Sequence, residues 1–312
     1  MPTGTQTIRE DMVAWISKNQ VKNTKATYGT YARKYKTFCE EQNLPIEDPA
    51  VISMFLREGM EKRNLSATTL NDVVASSISD IFRMEKIKPT HDPLVRETKK
   101  VIARLGKKGP GGKIPLPLKM LKKFVQISNP HRVNDIRDIF LFILMFGGLL
   151  RESEAAALKT EDVWVVDGNL YVVVKKSKTD QESISRTVVL AKSKTSSLCP
   201  TSWFNIYMKE REKLPGIYLF HNTSRPGHKL SAKRPNGVLK EWLKKIGVSE
   251  DDRKLYGSHS MRKGGATAAA KAKVRIHVLK RHGRWKSDAV FLYIVDDEGE
   301  KLSVSKAILG FD

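Results

Sequence analysis

The chain has 312 residues, with 56 Lys+Arg against 34 Asp+Glu and a formal net charge of +22. Its length and 40% hydrophobic content are enough to bury a core in each of two domains of ordinary size, which excludes a chain disordered throughout. Two cysteines, Cys39 and Cys199, exclude a disulfide scaffold and a cysteine-rich zinc module, and they suit a reducing, intracellular compartment.

The first ten residues hold no apolar core, so no secretory signal is expected there. Apolar periodicity then predicts helices at roughly 7–19, 22–42, 49–62, 66–86 and 93–105. Ser66 is placed to cap the fourth, and Val73, Val74, Ile78 and Ile81 give it an apolar stripe. Asp92-Pro93 supplies the fifth with an N-cap and a proline in its first turn. The expectation is a small all-α domain over 1–105. Gly106 to Lys113, followed by Pro115 and Pro117, reads as a linker over 106–117. Its lysines, Lys107, Lys108 and Lys113, could track a phosphate backbone.

Helices are expected next near 116–128 and 134–149. The second contains the longest apolar run, Ile139 to Leu150, 12 residues with two glycines. That is too short for a hydrocarbon core of about 30 Å and reads as a buried helix, so no membrane partner is expected. Two β-branched runs, Val163 to Val166 and Leu170 to Val174, flank Asp167-Gly168 and predict a hairpin with a tight turn. A third run, Thr187 to Leu190, follows a polar loop, and from about 200 onward the pattern is helical again. The second domain, 118–312 with a tail at 294–312, is therefore expected to be mainly α with a small antiparallel β-sheet.

Charge is distributed unevenly: residues 1–112 carry a net +6 and residues 113–312 a net +16. Such an excess repels itself, and a polyanion such as DNA or RNA relieves the repulsion. Four stretches in the second domain could carry chemistry, and each has an ordinary structural reading too. Arg151, after Gly147-Gly148 and three residues before Glu154, is either a rigidly held guanidinium or one half of a structural ion pair. Lys175, Lys176 and Lys178 lie between two strands, at a reactive hairpin tip or a solvated turn. His259 and Arg262, three apart, share a face if a helix runs there. Gly264, Gly265 and Ala266 after them permit close packing or close approach to a ligand. Trp285 and Tyr293 offer an indole N–H and a phenol, or are simply core aromatics.

Together these groups suit nucleophilic attack on a phosphodiester. Two planar guanidiniums can clamp the non-bridging oxygens as negative charge develops on them. A tyrosine hydroxyl, with an ordinary pKa near 10, needs a base and a positive field to attack. A lysine can protonate the leaving 5′-oxygen. No Walker-type glycine loop and no H-E-x-x-H spacing is present, so no ATP, metal or other cofactor is expected.

The order Arg, Lys, His-x-x-Arg, Trp, Tyr resembles the tyrosine recombinase family, the phage-integrase and Cre-like enzymes. Arg151 in Arg-Glu-Ser-Glu is similar to the family's first arginine, Lys178 in Ser-Lys-Thr to its hairpin lysine, and His259 and Arg262 to its His-x-x-Arg. Trp285 takes a position that is His in most members and Trp in some, and Tyr293 matches the nucleophile. The wording Gly-Arg-Trp-Lys-Ser-Asp-Ala is most similar to recombinases of eukaryotic mobile elements, the DIRS and Crypton types.

The resemblance implies a two-domain, C-shaped DNA clamp: a helical, SAM-like core-binding domain joined to a tyrosine-recombinase catalytic domain. It implies a site-specific recombinase or integrase working through a 3′-phosphotyrosine and a Holliday junction, without metal or ATP. In that reading Arg151 and Arg262 stabilise the transition state, His259 assists proton transfer, Lys178 is the general acid, Trp285 donates its N–H and Glu154 orients Arg151. The partners are double-stranded DNA with specific recombination sites and further copies of the chain, as dimer or tetramer. Phosphate contacts are expected from Lys107, Lys108, Lys113, Lys176, Lys263, Lys271, Lys273, Arg275, Arg281, Arg284 and Lys286. The compartment is the nucleus in a eukaryote, otherwise the cytoplasm or nucleoid. The alternatives are a type IB topoisomerase-like relaxing enzyme and a domesticated, non-catalytic DNA-binding protein.

Overall fold

Asp48 and Asp92 each precede a proline, and each starts a helix. Their side chains accept from the N–H of Ala50 at 2.7 Å and of Leu94 at 2.8 Å, filling orphan donors of the first turn. A computed structural model describes residues 12, 15, 22–85, 87–107, 112–175, 186–222, 225–296 and 298–310. Of the expected helix at 7–19 only Met12 and Trp15 are described, and Lys108, Lys176 and Lys178 lie outside the described residues. The chain divides into two compact units, Met1–Gly112 and Lys113–Asp312.

The first unit holds α1 (Lys22–Glu41), α2 (Pro49–Glu61), a π-helical stretch (Thr69–Val74) running into α3 (Ala75–Ile81), and α4 (Pro93–Leu105). Its core joins Tyr35 and Phe38 of α1, Ile52, Phe55 and Leu56 of α2, Leu70, Val74 and Ile78, and Val95 and Ile102 of α4. Ser66 accepts from the N–H of Thr69 at 3.2 Å at the start of the third segment. That segment is not the single regular helix expected over 66–86. The Ala75 N–H reaches back to Leu70, a wide turn, and Asn71 donates its amide to the Lys99 carbonyl on α4 at 2.8 Å.

The second unit comprises α5 (Leu118–Ile127), α6 (Val133–Gly147), α7 (Glu152–Ala157), strands β1 (Val163–Val166), β2 (Asn169–Val174) and β3 (Arg186–Leu190), and α8 (Pro200–Arg211). Strands β4 (His221–Asn222) and β5 (Arg225–Lys229) follow, then α9 (Arg234–Lys245), α10 (Glu250–Leu255), α11 (Ser258–Lys271), α12 (Ile276–Gly283), a 3₁₀ turn (Asp288–Tyr293) and α13 (Glu298–Leu309). The short β4–β5 hairpin corrects the expectation that only helices follow residue 200, because a two-residue strand leaves no periodicity to read. Of the stretch expected to link the domains, Ile114 and Leu116 donate their N–H groups to the Leu255 and Ser260 carbonyls, and Lys113 donates to the Lys254 carbonyl.

Helix α6 is the axis of this unit: every residue from Asp135 to Phe146 is buried. Helix α11 lies directly against it. A Cβ on Gly265 would strike the Phe146 carbonyl oxygen and one on Gly264 the Leu116 carbonyl oxygen, so these glycines serve helix packing. The sheet is antiparallel in the order β1-β2-β3. Asp167 and Gly168 both adopt positive φ, 50° and 79°, as a two-residue hairpin turn requires. Leu170, Val172 and Val174 face the core. Among the described residues no helix is long and apolar enough to cross a membrane.

Candidate active site

The site is built around the C-terminal end of α6. The last carbonyls of a helix lack intrahelical donors and carry the negative end of its dipole, so cationic donors are their natural partners. Here the chain turns sharply, with Leu149 in the left-handed region at φ 50°. Three successive carbonyls receive side chains from the C-terminal helices. His282 Nε2 donates to Gly147 at 2.8 Å, Arg284 Nη1 to Gly148 at 3.2 Å and Arg284 Nη2 to Leu149 at 2.9 Å. Arg262 Nη1 donates to the Leu149 carbonyl as well, and its Nη2 to the Gly283 carbonyl. His282 is thereby occupied at the helix end.

Arg151 caps α7, and the Glu154 carboxylate binds it twice: Oε2 accepts from the Arg151 N–H at 2.9 Å and Oε1 from Arg151 Nη1 at 2.6 Å. The same carboxylate accepts from Arg284 Nη2 at 2.8 Å. Side-chain exposures are 15% for Arg151, 1% for Glu154 and 3% for Arg284. Arg151 is thus the member of the trio that reaches solvent, held from beneath by two buried groups.

His259 and Arg262 stand on α11 one turn apart, as their spacing predicted, but their environments differ: His259 is exposed and Arg262 is buried. The Arg262 guanidinium lies 4.2 Å from the centre of the Trp285 ring and 5.4 Å from that of Tyr293. Trp285 packs on Gly283, where any Cβ would penetrate the indole. Leu149, Ala266, Leu279, Trp285 and Val290 form a small apolar floor against which Tyr293 rests. Thr267 Oγ1 donates to the Tyr293 carbonyl at 3.2 Å and accepts from the Val295 N–H at 3.2 Å, bracing the backbone on both sides of the phenol. The Tyr293 hydroxyl lies 3.4 Å from His259 Nδ1, a long contact of the kind catalytic pairs make before substrate tightens them.

Three guanidiniums, Arg151, Arg262 and Arg284, thus surround one carboxylate. Burial first, then Arg284 and Arg151, holds Arg262 well below the ordinary arginine range, while Glu154 pulls the other way. Burial alone would raise the Glu154 carboxyl, but Arg284 and Arg151 outweigh it and hold the group below the usual carboxylate range. Three buried donors, Arg262 Nε, Arg284 Nε and Trp285 Nε1, have no acceptor among the described residues. Surplus positive charge and unfilled donors make this a pocket for an anion with several oxygens.

Arg284 is buried. It is placed among the phosphate contacts by its basic neighbourhood, yet all four of its Nη contacts go to Glu154 and to the Gly148, Leu149 and His282 carbonyls. Lys263 is half-buried, and Lys271, Lys273, Arg275, Arg281 and Lys286 are exposed along α11, α12 and the turns after them. Lys107 is exposed and Lys113 half-buried. Lys175, which shares the stretch between two strands with Lys178, is paired with Glu161 at 2.8 Å and Asp162 at 2.5 Å. The roles of Leu149, Thr267 and Gly283 escape the sequence reading; only the Gly147-Gly148 pair hints at the sharp turn. Among the described residues no group of three or more His, Cys, Asp or Glu side chains is placed to hold a metal ion.

Comparison with known proteins agrees with this geometry. The profile of the Phage integrase family matches residues 116–294, the span containing every residue of the pocket. An integrase/recombinase XerD homologue of Selenomonas ruminantium is 21% identical over 290 residues, covering 88% of this chain and 81% of that protein. The fold is similar to the Tn1549 transposon integrase in complex with transposon right end DNA. There the TM-score is 0.67 at 16% identity, over 97% of this chain and 98% of that one. It is similar also to the XerH site-specific recombinase bound to a palindromic difH substrate, with TM-score 0.62 and 17% identity over 91% of this chain and 78% of that one. With more than half of its length matched by the family profile, the chain belongs to the phage integrase family of tyrosine recombinases.

Proposed function

We propose that the protein is a site-specific DNA recombinase whose nucleophile is Tyr293. The phenol oxygen forms a bond to the scissile phosphorus as the bond to the 5′-oxygen breaks. A 3′-phosphotyrosine and a free 5′-hydroxyl result, and the reverse step rejoins the strand. The phenolic proton passes to His259 Nδ1, and Lys178, outside the described residues, protonates the leaving oxygen. Arg151 and Arg262 bind the non-bridging oxygens, which gain charge in the transition state, and Trp285 Nε1 supplies a further donor. Glu154 orients Arg151.

The observation that carries the reading is the contact of 3.4 Å between the Tyr293 hydroxyl and His259 Nδ1, beside the buried guanidinium of Arg262. It supports a reading in which nucleophile, base and electrophilic clamp come from one chain. In the same reading both units contact the duplex. Copies of the chain pair as dimers and tetramers, and strands exchange through a Holliday junction between specific recombination sites. The Gly-Arg-Trp wording favours a mobile-element recombinase.

The test is covalent trapping. The full chain is incubated with a random-sequence duplex library carrying nicks, adducts are isolated under denaturing conditions, and the attached DNA is sequenced. The expected result is adduct formation at a restricted set of sites, absent in Tyr293→Phe. Adducts that persist in Tyr293→Phe would remove the assignment of the nucleophile. Relaxation of supercoiled plasmid without site preference would replace recombination with topoisomerase activity.

A further inference from the structure

A guanidinium buried beside two others is an unfavourable choice unless its bonds do something the fold needs. Arg284 is such a group, and its backbone makes the choice odder still. It ends α12 in the left-handed region at φ 59°, where glycine would be unstrained. The side chain compensates by linking the two arginines that are proposed to hold the phosphate. Through Glu154 Oε2 it shares a carboxylate with Arg151, and through the Leu149 carbonyl it shares an acceptor with Arg262. Its remaining Nη contacts, to the Gly148 and His282 carbonyls, tie the end of α6 to the end of α12. These four contacts occupy both Nη groups, and Nε is buried with no acceptor among the described residues.

We infer that Arg284 is a positioning residue for strand cleavage: it holds Glu154 and the Leu149 carbonyl where Arg151 and Arg262 need them. The inference rests on the reading of Tyr293 as nucleophile. Arg284 is also the main counter-charge that offsets burial at Glu154. Without it the carboxyl titrates at higher pH, and once protonated it releases its charged hold on Arg151. A merely structural arginine would alter the folded fraction and leave the pH dependence of cleavage alone.

The experiment uses the full chain with Arg284→Gly, which suits the backbone, and Arg284→Lys, which keeps a charge. Two readouts are taken at temperatures where melting curves show each variant folded. The first is the titration of the Glu154 carboxyl by NMR of protein labelled with ¹³C at the glutamate carboxylates, assigned with Glu154→Gln. The expected result is a midpoint raised by about one pH unit or more in Arg284→Gly and near the parent value in Arg284→Lys. The second is single-turnover adduct formation at pH 6 and pH 8 on the duplex recovered by trapping. A displaced clamp costs roughly 10²-fold, so Arg284→Gly should slow by that order, with further loss only as the pH approaches the raised Glu154 midpoint. Arg284→Lys should recover much of the rate, and duplex affinity should hardly change. An unmoved Glu154 titration, or adduct rates that follow only the folded fraction, would overturn the inference. If the parent chain forms no adduct with any duplex, the cleavage reading itself fails, and the positioning role fails with it. If the parent reacts and Arg284→Gly reacts equally fast, only the positioning role falls.

Discussion

Replacing Glu154 by glutamine removes one oxygen's charge and almost no volume, which isolates the electrostatics of the pocket. The carboxylate is 1% exposed and accepts three hydrogen bonds, from the Arg151 N–H and Nη1 and from Arg284 Nη2. A carboxamide has a single acceptor oxygen, so whichever way it is turned its NH₂ faces a guanidinium or an amide N–H, donor against donor. Three guanidiniums then share the pocket without the charge of Glu154. Breaking a buried pair in this way typically costs about 3–5 kcal/mol. For a unit as long as Lys113–Asp312, where 1 kcal/mol shifts the midpoint by roughly 2–4 °C, melting should fall by about 6–20 °C. The pH dependence checks the cause. The folded-state pKa of Glu154 is lowered, so its stabilisation is complete above the unfolded value of about 4.3. It is lost as pH falls through the folded value. Glu154→Gln should lack that part of the acid limb. Calorimetry of the two proteins between pH 3 and pH 7 measures both effects. A variant melting within about 2 °C of the parent, with the same acid limb, would show that this carboxylate does not hold the arginines.

Three other outcomes are expected. Gly265→Ala places a methyl group against the Phe146 carbonyl and should cost about 1–3 kcal/mol as α11 is pushed off α6; a melting curve equal to the parent's would contradict the close helix contact. His221 is buried, and burial first, then Arg211 and Arg137, holds its imidazole below the ordinary value. Its folded pKa being depressed, stability is full above about pH 6.5 and declines as pH falls from there toward the folded value. His221→Gln should flatten that slope in melting curves between pH 5 and 7. If duplex binding neutralises six to ten phosphates, affinity should fall by roughly 10³–10⁵ between 50 and 200 mM salt, and a flat response in a fluorescence titration would count against phosphate contact.

What the sequence discloses of this protein is what depends on neighbours in the chain. The hairpin at Asp167-Gly168 is legible because only a turn with two positive φ values joins strands so closely, and Asp and Gly tolerate it. The helix caps at Ser66 and Asp92 are legible for the same reason. His259 and Arg262 are legible as a pair because helical spacing fixes them one turn apart. The π-turn at Thr69–Val74 is not, since the bond that accompanies it runs from Asn71 to Lys99 on another helix. The burial of Arg284 is not legible either, for the same physical reason. The residue stands in a run of basic residues that looks like a solvated face. Its burial is decided by Glu154 and by the end of α6, about 130 positions earlier, and no local pattern encodes that encounter.

The position of the surplus charge is the deeper constraint. A fold selected only for stability would not bury Arg262 beside Arg151 and Arg284, because burial and like charge both work against its protonated form. The penalty is present in the free protein and shrinks when a phosphate supplies the missing negative charge. In the proposed reaction it shrinks further at the transition state, where the pentacoordinate phosphorus carries more negative charge on its oxygens than the starting diester. Interactions stronger there than in the ground state are the ones that raise a rate. Repulsion stored among the guanidiniums is therefore a stability cost of the free fold and, in the same measure, a preference for the transition state. It follows that neutral replacements at Arg262 are not simple losses of a contact. They relieve the free protein of a buried charge but leave the Leu149 and Gly283 carbonyls without these donors, so the loss of cleavage should far exceed what the change in melting temperature accounts for.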